Sequence, residues 1–128
     1  MSKLPLIARV LLGLPFVVFG LNGFLHFIPQ PPMTGTAAEL MGAMHASGYM
    51  LPLLFLTQLV GGLLVLSGRL TPLGLVLLAP ILVQIIAFHA VLAPAGIGMG
   101  IFLTLIEIYL AWAYRDCFRP MFDAHPTR

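Results

Sequence analysis

The residue best suited to chemistry in this 128-residue chain is a glutamate inside a long apolar stretch. Glu107 lies near the middle of a run from about Gly98 to Tyr114, where a carboxylate is costly unless it meets protein, water or a ligand. In one interpretation it exchanges a proton or binds a ligand. In the other it forms a fixed buried ion pair with Arg9, whose side chain is long enough to reach inward from the first apolar stretch.

Five further polar side chains interrupt the apolar stretches, and together with Glu107 they form the predicted ligand-binding set. This set consists of Asn22, His26, Gln58, Gln84, His89 and Glu107. A neutral histidine and an amide can donate hydrogen bonds to the two carbonyl oxygens of a quinone headgroup. The set therefore predicts one polar pocket that opens outward and binds a quinone-like molecule. In the alternative, these groups hydrogen-bond one another in a packed core.

The histidines raise the question of a metal or a haem. Three histidines, His26, His45 and His89, are predicted to lie toward the outer side of the membrane. A zinc or copper site needs about three ligands. Haem ligation by His26 and His89 would need facing rings at one depth. The sequence contains no HxxxH, HExxH or CxxCH motif, so neither a metal nor a haem is predicted.

The composition places these residues in a membrane. The chain is 60% hydrophobic and 8% charged, with a mean hydropathy of +1.06, whereas soluble domains are about 45–50% apolar and about 25% charged. This composition excludes a soluble enzyme and a disordered chain. A nucleic-acid binder is excluded as well, because six Lys and Arg residues are too few for a basic patch. The single cysteine excludes an intramolecular disulfide.

Four apolar stretches are long enough to cross a hydrocarbon core of about 30 Å as helices. They are predicted at about 4–28, 49–67, 73–92 and 98–115. After the first, Thr36-Ala37-Ala38-Glu39 matches a capping box and precedes an apolar helical face. This predicts a short interfacial helix at about 36–47 in the first external loop. The predicted fold class is all-α, a four-transmembrane-helix bundle that forms one domain over 1–128, with a C-terminal tail at 116–128 that is polar after Pro120.

Helical periodicity predicts how two of these helices face the bundle. Small and polar residues recur along one face of the fourth helix, and large apolar residues along the other. The first face carries Gly100, Thr104, Glu107, Ala111 and Tyr114, and the second carries Ile101, Leu105, Ile108 and Trp112. The first face should point into the bundle. In the second helix, Gln58 shares a face with Gly61 and Gly62, which predicts a close helix approach.

All six Lys and Arg residues fall on one side of such a bundle. They are Lys3, Arg9, Arg69, Arg115, Arg119 and Arg128. The first and third loops contain none. Because positive residues are retained on the cytoplasmic side, both termini are predicted to be cytoplasmic and the protein to lie in the inner membrane.

Several motifs resemble the DoxX family. They are Asn22-Gly23-Phe24-Leu25-His26-Phe27, Gly61-Gly62-Leu63-Leu64-Val65-Leu66-Ser67-Gly68-Arg69 followed by Pro72 and Leu78-Ala79-Pro80, Phe88-His89, and Glu107-Ile108-Tyr109-Leu110-Ala111-Trp112-Ala113-Tyr114-Arg115-Asp116. The resemblance covers nearly the whole chain and implies a small four-helix bacterial or archaeal membrane protein. The relatives that gave the family its name are associated with quinone-linked oxidation of thiosulfate. Others are associated with membrane oxidoreductase complexes or with quinone and thiol stress.

The residues and the resemblance together favour one function and leave two alternatives. The favoured function is an accessory or quinone-binding component of membrane redox metabolism, whose partners are the lipid bilayer, a membrane oxidoreductase subunit or a second copy of the chain. The first alternative is a small proton-coupled transporter or permeability factor that uses Glu107. The second is a purely structural assembly or stress-response protein. No catalytic motif identifies a reaction, so an enzymatic role would be that of a subunit of a quinone-linked oxidoreductase.

Overall fold

The computed structural model describes residues 3–29 and 32–125, which form helices and no strands. The helices are α1 Leu4–Leu25, α2 Gly35–Ala46, α3 Met50–Ser67, α4 Thr71–Val91, α5 Ile97–Ala113 and α6 Arg115–Phe118, with 3-10 turns at Pro94–Gly96 and Arg119–Phe122. Helices α1, α3, α4 and α5 (the last extended by the preceding turn) are long and apolar enough to cross a membrane. The predicted all-α bundle of four membrane-spanning helices is therefore confirmed.

The four long helices pack as a ring in which α1 contacts α3 and α5, and α4 contacts α3 and α5. Glycine contacts between Gly13 and Gly62 and between Gly20 and Leu59 show that α1 and α3 are antiparallel. The described basic residues gather where α1 and α4 begin and α3 and α5 end; these are Lys3, Arg9, Arg69, Arg115 and Arg119. We call this the basic end of the bundle. Arg128 lies outside the described residues.

Three glycines let the backbones of α1 and α3 touch. A Cβ atom on Gly13 would lie 2.9 Å from the carbonyl oxygen of Gly62, and one on Gly62 would lie 2.9 Å from the amide nitrogen of Val17. On Gly20 it would lie 3.0 Å from the amide nitrogen of Leu59. We call Gly13, Gly20 and Gly62 the glycine seam. Small residues of this kind draw helices together in lipid, and the close approach predicted around Gly62 is confirmed.

The end of α1 is set by Asn22 and differs from the predicted end. The helix stops at Leu25 rather than near Ile28, because His26 adopts the left-handed conformation with φ 53°. The Asn22 side chain then closes the turn: its Oδ1 accepts a hydrogen bond from the Ile28 amide at 2.7 Å, and its Nδ2 donates to the Ile28 carbonyl at 3.3 Å. The hydrogen bonds of the Asn22 side chain therefore go to the backbone just after α1.

The short helix α2 is present in the first loop, but the predicted capping box is wrong. The helix begins at Gly35 with Thr34 as its N-cap, and no side chain of the cap bonds to the first turn. Thr36 consequently lies inside the first turn, where its hydroxyl cannot act as the cap that the Thr36–Glu39 pair would require. The interfacial position of α2 stays a prediction.

Candidate functional site

A groove of about 480 Å³ lies at the basic end between α4, α5 and the segment that follows α5. We call it the Glu107 groove. It is lined by Leu75, Val76, Ala79, Glu107, Ala111, Arg115, Phe118, Arg119, Met121 and Phe122. The small side chains of Ala79 and Ala111 leave space between the two helices. Farther along, the space over Gly100 is filled by the side chains of Ile85 and Ile86, which lie 3.1 and 3.3 Å from where a Cβ would stand.

Glu107 is the buried polar group of this groove. Its side chain is 9% exposed, and its Oε1 is fully buried without a hydrogen-bond partner among the described residues. The faces of α5 are as predicted: Gly100 and Glu107 are buried, while Ile101 and Leu105 are 45% and 60% exposed. A buried carboxylate oxygen that lacks a partner is costly. The groove thus contains a group with unused hydrogen-bonding capacity.

Arg9 is held at the turn between α3 and α4. Its Nη1 occupies the space that a Cβ of residue 68 would need, and Gly68 has the left-handed φ of 78° that ends α3. Within the described part of the chain the ion pair is Arg119–Asp116, at 3.2 Å, and none joins Arg9 to Glu107. The guanidinium group of Arg9 therefore packs on a turn at the basic end, and its buried Nε, like Glu107 Oε1, has no hydrogen-bond partner among the described residues.

Arg115 is held beside the groove by Trp112, which lies three residues earlier in the last turn of α5. Its Nη1 donates a hydrogen bond to the Trp112 carbonyl at 2.9 Å, and its guanidinium carbon lies 4.6 Å from the centre of the Trp112 ring. Cation–π contact of this kind favours one position of the guanidinium group. The second arginine of the groove, Arg119, is exposed and pairs with Asp116, a contact worth little in water.

The other predicted site residues lie elsewhere. Asn22, His26, Gln58, Gln84 and His89 do not line the Glu107 groove. Asn22 and Gln58 are buried, His26 and Gln84 are exposed, and the half-buried His89 donates from Nδ1 to the Ile85 carbonyl at 2.8 Å. Among the described residues, no three His, Cys, Asp or Glu side chains are grouped as a metal site requires. The structure therefore brings Glu107 together with arginines instead of with the predicted amides and histidines.

The C-terminal tail predicted at 116–128 provides one wall of the groove, a role that its residues were not predicted to have. Phe118, Met121 and Phe122 follow α5 at spacing i, i+3, i+4, which is the signal of an apolar helical face. Phe118 packs against the core, whereas Met121 and Phe122 are exposed. This segment lines the side of the groove that α4 and α5 do not.

Four helices that are long and apolar enough to cross a membrane, one of which carries a buried carboxylate, define a small multi-pass membrane protein. The chain belongs to the DoxX family, whose match covers residues 4–91 and thus α1 to α4. No curated protein and no solved structure gives a significant match to the chain. The matched part supplies the α4 wall of the groove, while Glu107 and the remaining walls follow it in sequence.

Proposed function

We propose that this DoxX-family protein binds a quinone-like molecule in the Glu107 groove and serves as an accessory component of membrane redox metabolism. The observation that carries the proposal is the buried Glu107 carboxylate, which has an oxygen without a partner among the described residues, in a groove whose other lining residues are apolar except for Arg115 and Arg119. Ligand sites of this size range, about 300–1,000 Å³, are mostly apolar with a few placed polar groups. The groove has this character.

Two of the polar groups of the groove, those of Glu107 and Arg115, suit the two oxygen atoms of a quinone ring. In the quinol form, Glu107 can accept the hydrogen of one hydroxyl, and Arg115, held by Trp112, can donate to the oxygen of the other; in the quinone form, Arg115 can donate to a carbonyl oxygen. The apolar side chains of Leu75, Val76 and Ala79 would contact the ring and the start of its tail. A bound quinone would supply two-electron redox chemistry, for which the chain itself provides hydrogen bonds and an apolar environment.

Trp112 offers a direct binding assay because it is the only tryptophan of the chain and stacks with Arg115. Short-chain quinones added to the protein in nanodiscs should quench its fluorescence to saturation. Glu107→Gln keeps the side-chain size but replaces a carboxylate, which can carry a negative charge, with a neutral amide. We expect it to weaken binding of the quinol by about 1.5–3 kcal/mol, the value of a hydrogen bond to a charged group.

Glu39→Gln is the matched control, because it makes the same chemical change at an exposed carboxylate of α2, away from the groove. It should bind as the unsubstituted protein does. Fluorescence of the unsubstituted protein that stays unchanged at saturating quinone would contradict the proposal. So would equal affinities of the Glu107→Gln and Glu39→Gln variants. Proton-coupled flux of a solute into proteoliposomes without quinone binding would favour the transporter alternative.

We also propose that the protein lies in the inner membrane with its basic end in the cytoplasm. The support is the gathering of the described Lys and Arg residues at that end. Cys117, the single cysteine of the chain, is exposed at that end, so its thiol can be labelled without a substitution. A membrane-impermeant thiol reagent should label it only after the cells are opened, whereas Thr34→Cys, in a Cys117→Ser background, should be labelled in intact cells. The reverse pattern would refute this orientation.

A further inference from the structure

The side-chain amide of Gln84 lies on the lipid-facing surface of the bundle, at a depth that corresponds to the hydrocarbon core of a membrane. Gln84 is exposed and lies about 4.5 Å from the middle of α4. It makes no hydrogen bond to another described residue. Polar side chains at this depth normally face protein or water. The single chain gives this amide neither.

The other polar side chains in the middle of the spans are arranged differently. The hydroxyl of Thr57 donates to the Leu53 carbonyl at 2.8 Å, and that of Thr104 donates to the Gly100 carbonyl at 2.7 Å, so each is satisfied by its own helix. Gln58 and Glu107 are buried within the bundle. Among the described residues of the spans' central turns, Gln84 is thus the polar side chain that is both exposed and unbonded.

The surface around Gln84 has the spacing of a helix-pairing seam. Residues on this side of α4 recur at alternating intervals of four and three, which is the pattern of paired helices. They are Leu73, Leu77, Pro80, Gln84, Ala87 and Val91. Leu77 is half-buried and the others are exposed, with Val91 75% exposed. We call these residues the α4 seam. It runs the length of the helix and does not include the α4 residues that line the Glu107 groove.

We propose that the protein forms a homodimer through the α4 seam, in which the Gln84 amides of two copies hydrogen-bond each other inside the bilayer. An amide both donates and accepts, so it is complementary to itself. A second copy is therefore the partner that the chemistry of Gln84 fits best. The proposal does not depend on quinone binding.

The depth of Gln84 also selects the symmetry of the pair. A two-fold axis along the membrane normal sets each residue of α4 against the same residue of the other copy, so the two amides meet at one level. Antiparallel α4 helices centred in the same bilayer would place the two Gln84 residues about 9 Å apart along the axis, too far for a hydrogen bond. The dimer is therefore parallel, with both basic ends on the same side.

Subunit counting in liposomes tests the dimer directly. The protein is labelled with a fluorophore on Cys117, which is exposed at the basic end and is not part of the α4 seam. Photobleaching steps are then counted over a range of lipid dilutions. We expect Gln84→Leu to raise the dimer dissociation constant between about threefold and thirtyfold, as interhelical amide bonds do. Thr57→Val, which removes a hydroxyl bonded to its own helix, should leave the constant unchanged.

Cysteine crosslinking locates the contact. In a Cys117→Ser background, Ala87→Cys lies one turn from Gln84 on the α4 seam and should form a disulfide-linked dimer on oxidation. Leu105→Cys, on the exposed face of α5, should not. The proposal is refuted if the unsubstituted protein is monomeric at every dilution, if Gln84→Leu dimerises equally well, or if crosslinks form through Leu105→Cys instead. A Gln84-dependent complex with a different membrane protein, and no dimer of the purified chain, would also refute it.

Discussion

The glycine seam predicts that a single methyl group will separate two helices. In Gly62→Ala the added Cβ would lie 2.9 Å from the amide nitrogen of Val17, 3.0 Å from the carbonyl oxygen of Gly13 and 3.1 Å from the Cβ of Phe16. An ordinary contact of such a carbon begins near 3.4 Å. Because the two closest atoms belong to the backbone of α1, neither can turn aside as a flexible side chain would.

The helices must therefore move apart by about 0.5 Å, and this weakens the contacts on both sides of Gly62. Overpacking of this kind costs about 1–3 kcal/mol, while the replacement of a helical glycine by alanine returns up to about 1 kcal/mol. We expect a net loss of about 1–2 kcal/mol in the free energy of unfolding. Gly13→Ala opens the same contact, so the double variant should lose less than the two single losses combined.

The measurement is unfolding from neutral micelles by sodium dodecyl sulfate, followed by intrinsic fluorescence and by protection from proteolysis. Gly98→Ala is the matched control: it lies in α5, and a Cβ there meets no atom within 4 Å. That variant should be as stable as the unsubstituted protein or more stable by up to about 1 kcal/mol. If Gly62→Ala and Gly98→Ala unfold at the same detergent fraction, backbone contact does not hold α1 against α3.

Two further predictions concern single turns. Gly68→Ala should lose more stability in the same assay than Gly48→Ala; both glycines have a left-handed φ, worth about 1–2 kcal/mol, but only a Cβ on Gly68 meets Arg9. Equal losses would show that the Arg9 contact is unimportant. Asn22→Ala should cost about 1–2 kcal/mol and speed hydrogen exchange of the Ile28 amide; unchanged exchange there would contradict the assigned role of the Asn22 side chain.

The spans were predictable because lipid forces each apolar stretch to satisfy its own backbone as a helix. The orientation of α5 was predictable for a related reason: Gly100 and Glu107 share one face of a helix with 3.6 residues per turn, and that face had to be the interior one. The spans and the facing of α5 both follow from the spacing of residues along one helix, and that spacing can be read from a single sequence.

The position of the groove was not predictable, because it depends on how side chains from different helices fill space. Ala79 and Ala111 leave room at the basic end, whereas Ile85 fills the gap over Gly100. No pattern within one helix tells which of its residues will face each other across the bundle.

Asn22 and Arg9 show the second limit. The sequence places both at depths where a polar group needs a partner, but it does not identify that partner. Asn22 bonds to the backbone of Ile28, because the chain leaves the helix at His26 and turns back toward the amide. Arg9 reaches the turn at Gly68 rather than a carboxylate.

The glycine seam also has a consequence for biogenesis. Its contacts join α1 to α3 alone, so this pair can assemble before α4 and α5 have packed against it. The Glu107 groove takes its walls from α4, α5 and residues 115–122. A nascent chain arrested after α4 would thus carry a finished helix pair and an exposed Gln84 but no groove. The α1–α3 pair can therefore form before the candidate site, whose walls include α5 and the residues that follow it, has been assembled.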